Sequence, residues 1–268
     1  MKSIYQLIKG IYFTATYKKR YGAVRGKYEN YDSAKKQIKK TWQDVDIKEY
    51  KNNFLKIFKK TPNFIHIKDE KKSYNSNGLF SWDYPTIFWL NNIFTKSDKS
   101  NNIILDFGGN IGNHFYLYKK YLNLYSHNWI VVELENFIEA GKYLNNDNLN
   151  LNFNNIGNVI CEKALIFHAS SALQYLKESL VDIILKFETL PDYIIINRTP
   201  FSAEKSFYTI QNGGSSEYVM KIISFNEIDK LLEYYEILDD WFDNIDKCYV
   251  PFKSTKVFYK GYLLNKIK

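Results

Sequence analysis

Ile103-Ile104-Leu105-Asp106-Phe107-Gly108-Gly109-Asn110-Ile111-Gly112-Asn113-His114 decides how this chain is read. An apolar run ends in an acid, glycines turn the chain, and a helix-like stretch starts near His114. Strand, glycine turn and helix in that order mark the place where a Rossmann-type α/β fold offers backbone amides to a ligand. Residues without a Cβ at 108 and 112 permit unusual φ/ψ angles and close ligand approach. A dinucleotide loop would read G-x-G-x-x-G; counted from Gly108, Asn110 and Asn113 stand where the second and third glycines belong, which disfavours NAD and FAD.

Strand-like runs follow at 103–107, 129–134, 149–153, 164–168 and 192–197, mostly separated by helix-length segments. This alternation predicts a mostly parallel sheet wrapped by helices. Later runs at 208–211, 219–224, 236–242 and 257–266, with the turn at 212–216 and a helix over about 225–235, suit an antiparallel edge. Residues 28–95 read as helices broken by the polar turn at 75–78. The expected division is a basic, mainly helical N-terminal extension, 1–95, and a catalytic domain, 96–268.

The pattern Asp106-x-Gly108-x-Asn110-x-Gly112 resembles the first motif of class I S-adenosylmethionine (SAM) methyltransferases, so the implied fold is the Rossmann-like fold of that class and the implied cofactor is SAM. The resemblance implies that Gly108, Gly109, Asn110 and Gly112 lie against the methionine and ribose portions, while Asp106 holds the loop and the ammonium end. An acid ending the next strand should accept hydrogen bonds from the ribose diol. Glu133 lies 21 residues after Gly112, close to the ~20 expected, with Glu135 the fallback. The alternative for the turn is a purely structural βα connection.

Further segments resemble a bacterial group of SAM-dependent methyltransferases often encoded among surface-polysaccharide genes. They are 26–34 (GKYENYDSA), 105–116, 131–144, 170–176 (SSALQYL), 194–201 (IIINRTPF), 209–214 and 259–266, so the likeness runs from about 26 to 265. Family members commonly carry Trp where Tyr31 stands. The resemblance implies O-methylation of a glycan or of its nucleotide-linked, phosphate- or phosphoramidate-bearing precursor. The competing readings are a nucleic-acid methyltransferase and a non-catalytic SAM-fold partner protein. The first draws on the basic N-terminus and on 197–201 (NRTPF), which loosely resembles the Asn-Pro-Pro-aromatic motif of amino-methyltransferases.

Ligands of open α/β sheets bind beyond the carboxyl ends of the strands. His168, Ser170, Ser171, Gln174, Tyr175, Asn197, Arg198 and Thr199 are therefore expected to face the methyl donor. Ser170 and Ser171 are assigned to the cofactor, and His168, Arg198, Gln174 and Tyr175 to the acceptor and the chemistry. His168 suits a general base because imidazole titrates near neutrality, or else is a satisfied histidine at a strand end. Arg198 suits an anionic acceptor through its two-pronged grip, or else pairs with a nearby acid. Ser171 and Gln174 also fit a capping box. The four histidines show no metal-ligand spacing and the two cysteines no pairing, so no metal is expected.

Charge is uneven: residues 1–60 hold 16 Lys/Arg against 5 Asp/Glu, and the rest 21 against 24. Residues 1–20 read as a short amphipathic helix ending in Lys18-Lys19-Arg20, which either docks on the protein itself or touches an anionic membrane surface. No apolar run approaches a membrane span and no cleavable leader is evident. The expected location is the cytoplasm, with the inner membrane face as the place of any surface contact. The expected partner is a glycan or small-molecule acceptor ahead of nucleic acid. The sequence leaves the oligomeric state open.

Overall fold

Strands buried on both faces need apolar residues at consecutive positions, and the computed structural model turns most of those runs into one sheet. It describes residues 2–39, 79–97, 102–145, 150–160, 162–214, 216–244 and 246–267. In chain order, helix Lys2–Ala15 (α1) precedes strand Val24–Tyr28 (β1) and helix Tyr31–Lys35 (α2). Helix Asp83–Lys96 (α3) leads to Asn102–Phe107 (β2), Asn113–Tyr118 (α4), His127–Val132 (β3), Glu135–Leu144 (α5) and Leu151–Asn154 (β4). Then come Ile156–Val159 (α6), Ile166–Ser170 (β5), Leu180–Ile184 (α7), Tyr193–Ser202 (β6), Phe207–Asn212 (β7) and Glu217–Ser224 (β8). Asn226–Asp229 (α8), Tyr235–Asp243 (β9) and Phe258–Lys266 (β10) close the chain.

The main sheet runs β4-β3-β2-β5-β6-β10-β9. β2 to β6 are mutually parallel, and β10 alone is reversed against both its neighbours. This is a Rossmann-like α/β fold, mostly parallel with an antiparallel edge. The two-residue period sends adjacent side chains to opposite faces. Leu105, Ile130, Phe167 and Ile194 pack with Ile183, Ile184 and Leu231 on one side. Ile104, Trp129, Ile166 and Ile195 pack with Leu90, Ile93, Phe115 and Tyr118 on the other. Leu90 and Ile93 belong to α3, so residues on the N-terminal side of position 95 help form the core of the main sheet.

A second, antiparallel layer grows from β6. β8 pairs in parallel with Phe201 and Ser202, while β7 and β1 add outward. A strand has two edges, and at Phe201 one is taken by Phe258 of β10. β8 therefore occupies the β5-side edge, beyond the end of the β5 pairing at Asn197. The small sheet thus stands over the carboxyl end of β5. Its first strand, Val24–Tyr28, lies in the segment read as mainly helical, and its cause is non-local, since its hydrogen-bond partner is β7. α2 does form, capped by Asn30, whose Oδ1 accepts the Ser33 N–H at 2.9 Å. The turn at 75–78 and the helices expected before it lie outside the described residues.

Candidate active site

The glycine turn has the backbone its sequence implied: Gly108, Asn110 and Gly112 have φ of 70°, 60° and 95°. At Gly108 two constraints coincide, because an added Cβ would stand 2.3 Å from the Ala172 Cβ. The β2 turn is thereby pressed against the segment after β5, which carries Ser170 and Ser171. Ser171 is itself left-handed (φ 56°), and its N–H donates to the Asn197 carbonyl at 3.0 Å. Glu133 follows the last residue of β3. Its carboxylate accepts the Asn110 N–H at 3.2 Å and the Leu134 N–H at 2.8 Å. Burial pushes its pKa up to about 7, against those two backbone hydrogen bonds. Glu135 is exposed and opens α5. Of the two acids, Glu133 alone touches the turn.

Asp106 departs from expectation. It is fully buried, and its carboxylate accepts from His168 Nδ1 at 2.8 Å, His114 Nδ1 at 3.0 Å and Trp129 Nε1 at 3.2 Å. These donors turn it inward, so it braces the turn from below and is not placed to hold an ammonium group. A Cβ on Gly109 would meet its Oδ2 at 2.3 Å, so the turn closes directly over the carboxylate. Burial opposes its charge, yet His114 and His168 outweigh that and hold its pKa below the ordinary carboxylate range. His114 is itself pulled down by burial and more strongly up by Asp106, for a net rise, whereas burial dominates at His168 and lowers it. The network holds an Asp106 anion beside a His114 that favours its proton and a His168 that does not.

His168 is likewise corrected. β5 continues to Ser170, so the imidazole sits inside the strand, opposite Asp106, with no exposure, and not at the sheet's edge. Asp106, His114 and His168 offer ligand atoms within 4.8 Å of one another, a grouping that sequence spacing concealed. The Nδ1–H···carboxylate bonds account for that closeness. Asp83, Tyr118 and Trp129, none singled out from sequence, extend the polar cluster: Tyr118 Oη donates to Asp83 Oδ1 at 3.1 Å. The available signal was His114 in the first turn of the helix after the glycines.

Arg198 also lies elsewhere than expected. β6 does not end at Asn197 but bulges there, two residues facing Gly261 alone, and Arg198 takes φ 47°. Its Nε bonds Asp246 Oδ2, Asp243 lies 4.0 Å away, and the guanidinium covers the Trp82 ring at 4.3 Å. The structural ion pair, not an open phosphate grip, is the observed arrangement. Asn197 is buried: its Nδ2 donates to the Trp82 carbonyl and its Oδ1 accepts from Trp241 Nε1, both at 3.0 Å. Thr199 is buried too, its hydroxyl donating to the Asn197 carbonyl. Residues 197–201 therefore lie inside a strand.

The segment 170–175 remains at the carboxyl edge. Gln174 Nε2 donates to Ser171 Oγ at 2.9 Å, so the two side chains bond each other instead of forming the anticipated capping box; that device appears at Ser179 and Asp182. The buried Gln174 Oε1 has no hydrogen-bond partner among the described residues. Tyr175 Oη donates to Gln211 of β7 at 2.7 Å, tying the small sheet to this edge.

No family model and no curated protein matches the chain. Among solved structures it is similar to the PH0226 protein of Pyrococcus horikoshii (10% identity, 79% of this chain and 99% of that one, TM-score 0.45). It is also similar to a SAM-dependent methyltransferase of Leishmania major (14%, 67% and 71%, 0.41) and to YcgJ of Bacillus subtilis (10%, 69% and 98%, 0.44). The residues described above, and not these likenesses, carry the functional reading.

Proposed function

We propose that the chain is a SAM-dependent methyltransferase acting on a surface-glycan component or its precursor. The observation that carries the reading is the contact between Glu133 and the Gly108–Gly112 turn, with its three left-handed residues, which sets a carboxylate against the turn at the carboxyl end of the central strands. The residues fit the cofactor: Glu133 suits a ribose diol, and the buried Gln174 carbonyl, without a hydrogen-bond partner among the described residues, suits an N–H donor. When bound, SAM supplies an electrophilic methyl group. The chain's own part is then to hold the acceptor oxygen in line and to exclude water.

Ser170, Ser171, Gln174 and Tyr175 line the edge where an acceptor would meet the cofactor, and the roof of β1, β7 and β8 is the natural determinant of acceptor shape. The glycan assignment rests on the resemblance of 170–176 and 194–201. Catalysis in the cytoplasm belongs to the same reading.

The test is direct. Purified protein, SAM and surface-glycan precursors should yield a product heavier by the mass of one CH2, a methyl group in place of a hydrogen, seen by mass spectrometry. S-adenosylhomocysteine binding without turnover on any glycan or nucleotide sugar would favour the non-catalytic alternative.

A further inference from the structure

α1 is docked by the side that its apolar pattern does not use. An added Cβ on Gly10 would stand 2.5 Å from the Phe252 ring, and the Phe13 and Tyr249 rings meet tilted at 55°, centroids 4.4 Å apart. Phe252 is held at φ 60°, a left-handed conformation that is rare for an aromatic residue. Turned away from this contact, Ile4, Tyr5, Leu7, Ile8, Ile11 and Tyr12 are each 54–66% exposed. At 3.6 residues per turn they cover a continuous arc of about 160°. Internal docking thus leaves the apolar arc unused among the described residues.

Charge identifies the occupant. The first acidic residue of the chain is Glu29, whereas residues 1–28 hold seven Lys/Arg. Lys18 and Lys19 are exposed at the end of the helix. Along its flank a groove of about 220 Å³ gathers Lys9 and Lys253 with Gln6, Ser254 and Thr255, bordered by Tyr5 of the apolar arc. Cations and hydroxyls beside an apolar stripe match lipid phosphates beside acyl chains. A 14-residue helix is about 21 Å long, too short for a hydrocarbon core of about 30 Å.

We propose that α1 is an in-plane membrane anchor: Ile4, Leu7, Ile8 and Ile11 enter the acyl boundary of an anionic phospholipid bilayer, and Lys9, Lys18, Lys19 and Lys253 meet its phosphates. This proposal does not depend on the methyltransferase reading.

The test uses the full chain and extruded vesicles of phosphatidylcholine alone or mixed equally with phosphatidylglycerol. The wild type should co-sediment with the mixed vesicles, less with the neutral ones, and less at high salt. Combined Ile4→Ser, Ile8→Ser and Ile11→Ser should lower partitioning by about tenfold or more with an unchanged melting temperature. Lys18→Glu with Lys19→Glu should weaken binding to the mixed vesicles and leave the neutral ones unaffected. Wild-type protein that stays in the supernatant with anionic vesicles would overturn the proposal. So would a triple-serine variant that binds unchanged or melts markedly lower, or a wild-type dimer that the variant converts to monomer. Should the triple variant fail to fold, unchanged binding by the Lys18→Glu, Lys19→Glu protein would overturn it.

Discussion

His168 Nδ1 lies 2.8 Å from Asp106 Oδ1, across adjacent parallel strands, and neither residue has any exposed surface. A carboxylate acceptor fixes the proton on Nδ1, so the ring serves first as a donor that holds the brace under the glycine turn. His168→Ala should therefore lower the melting temperature along with activity, because losing one hydrogen bond to a buried carboxylate costs about 1.5–3 kcal/mol. His168→Asn, which keeps a donor near the same position, should recover much of the lost stability. A melting temperature untouched by His168→Ala, with only kcat reduced, would return the residue to the role of base.

Glu133 should make cofactor affinity depend on pH. Ribose hydroxyls donate to the ionised carboxylate, so S-adenosylhomocysteine should bind more tightly as pH rises through about 7, with proton release. In the unliganded chain the sign is opposite. A carboxyl raised above its unfolded value contributes stability below the ordinary carboxylate pKa and loses it as pH rises through about 7. Calorimetry in buffers of different ionisation enthalpy, with Glu133→Gln as control, separates this from His114 and His168. A pH profile unaltered in Glu133→Gln would remove Glu133 from the site.

Gly108→Ala should cost binding and stability together. The residue would be strained at φ 70° and its Cβ would overlap the Ala172 Cβ. Adding Ala172→Gly relieves the overlap but not the backbone strain, so thermal denaturation should show partial recovery. Independent, additive effects of the two changes would mean that the turn and the segment after β5 do not touch in solution.

Arg198→Lys should lower thermal stability and leave the acceptor KM nearly unchanged. The lysine keeps a charge beside Asp243 and Asp246 but loses the planar stack on Trp82 and the guanidinium geometry. Arg198→Met should cost more, by removing the cation beside Asp243 and Asp246 altogether. A raised KM at unchanged stability would instead assign Arg198 to an anionic acceptor.

Sequence alone determined what is local and periodic. Consecutive apolar residues identified β2, β3, β5 and β6 because strands buried on both faces admit little else, and the glycines at 108 and 112 announced the positive φ angles that only a residue without a Cβ adopts easily. The spacing from Gly112 also singled out Glu133. Tertiary structure decided what depends on residues far apart in the chain. Pairing with β7 made Val24–Tyr28 a strand, and alignment of β2 with β5 brought His168 to Asp106 across 62 positions of sequence. A bulge opposite Gly261 turned Arg198 toward Asp246. Where α1 spends its apolar face was equally undecided, since a helical period states that a face exists but not what it meets. The fold decided only which side docks, through one close contact, Gly10 on Phe252, which a Cβ on the helix would have blocked.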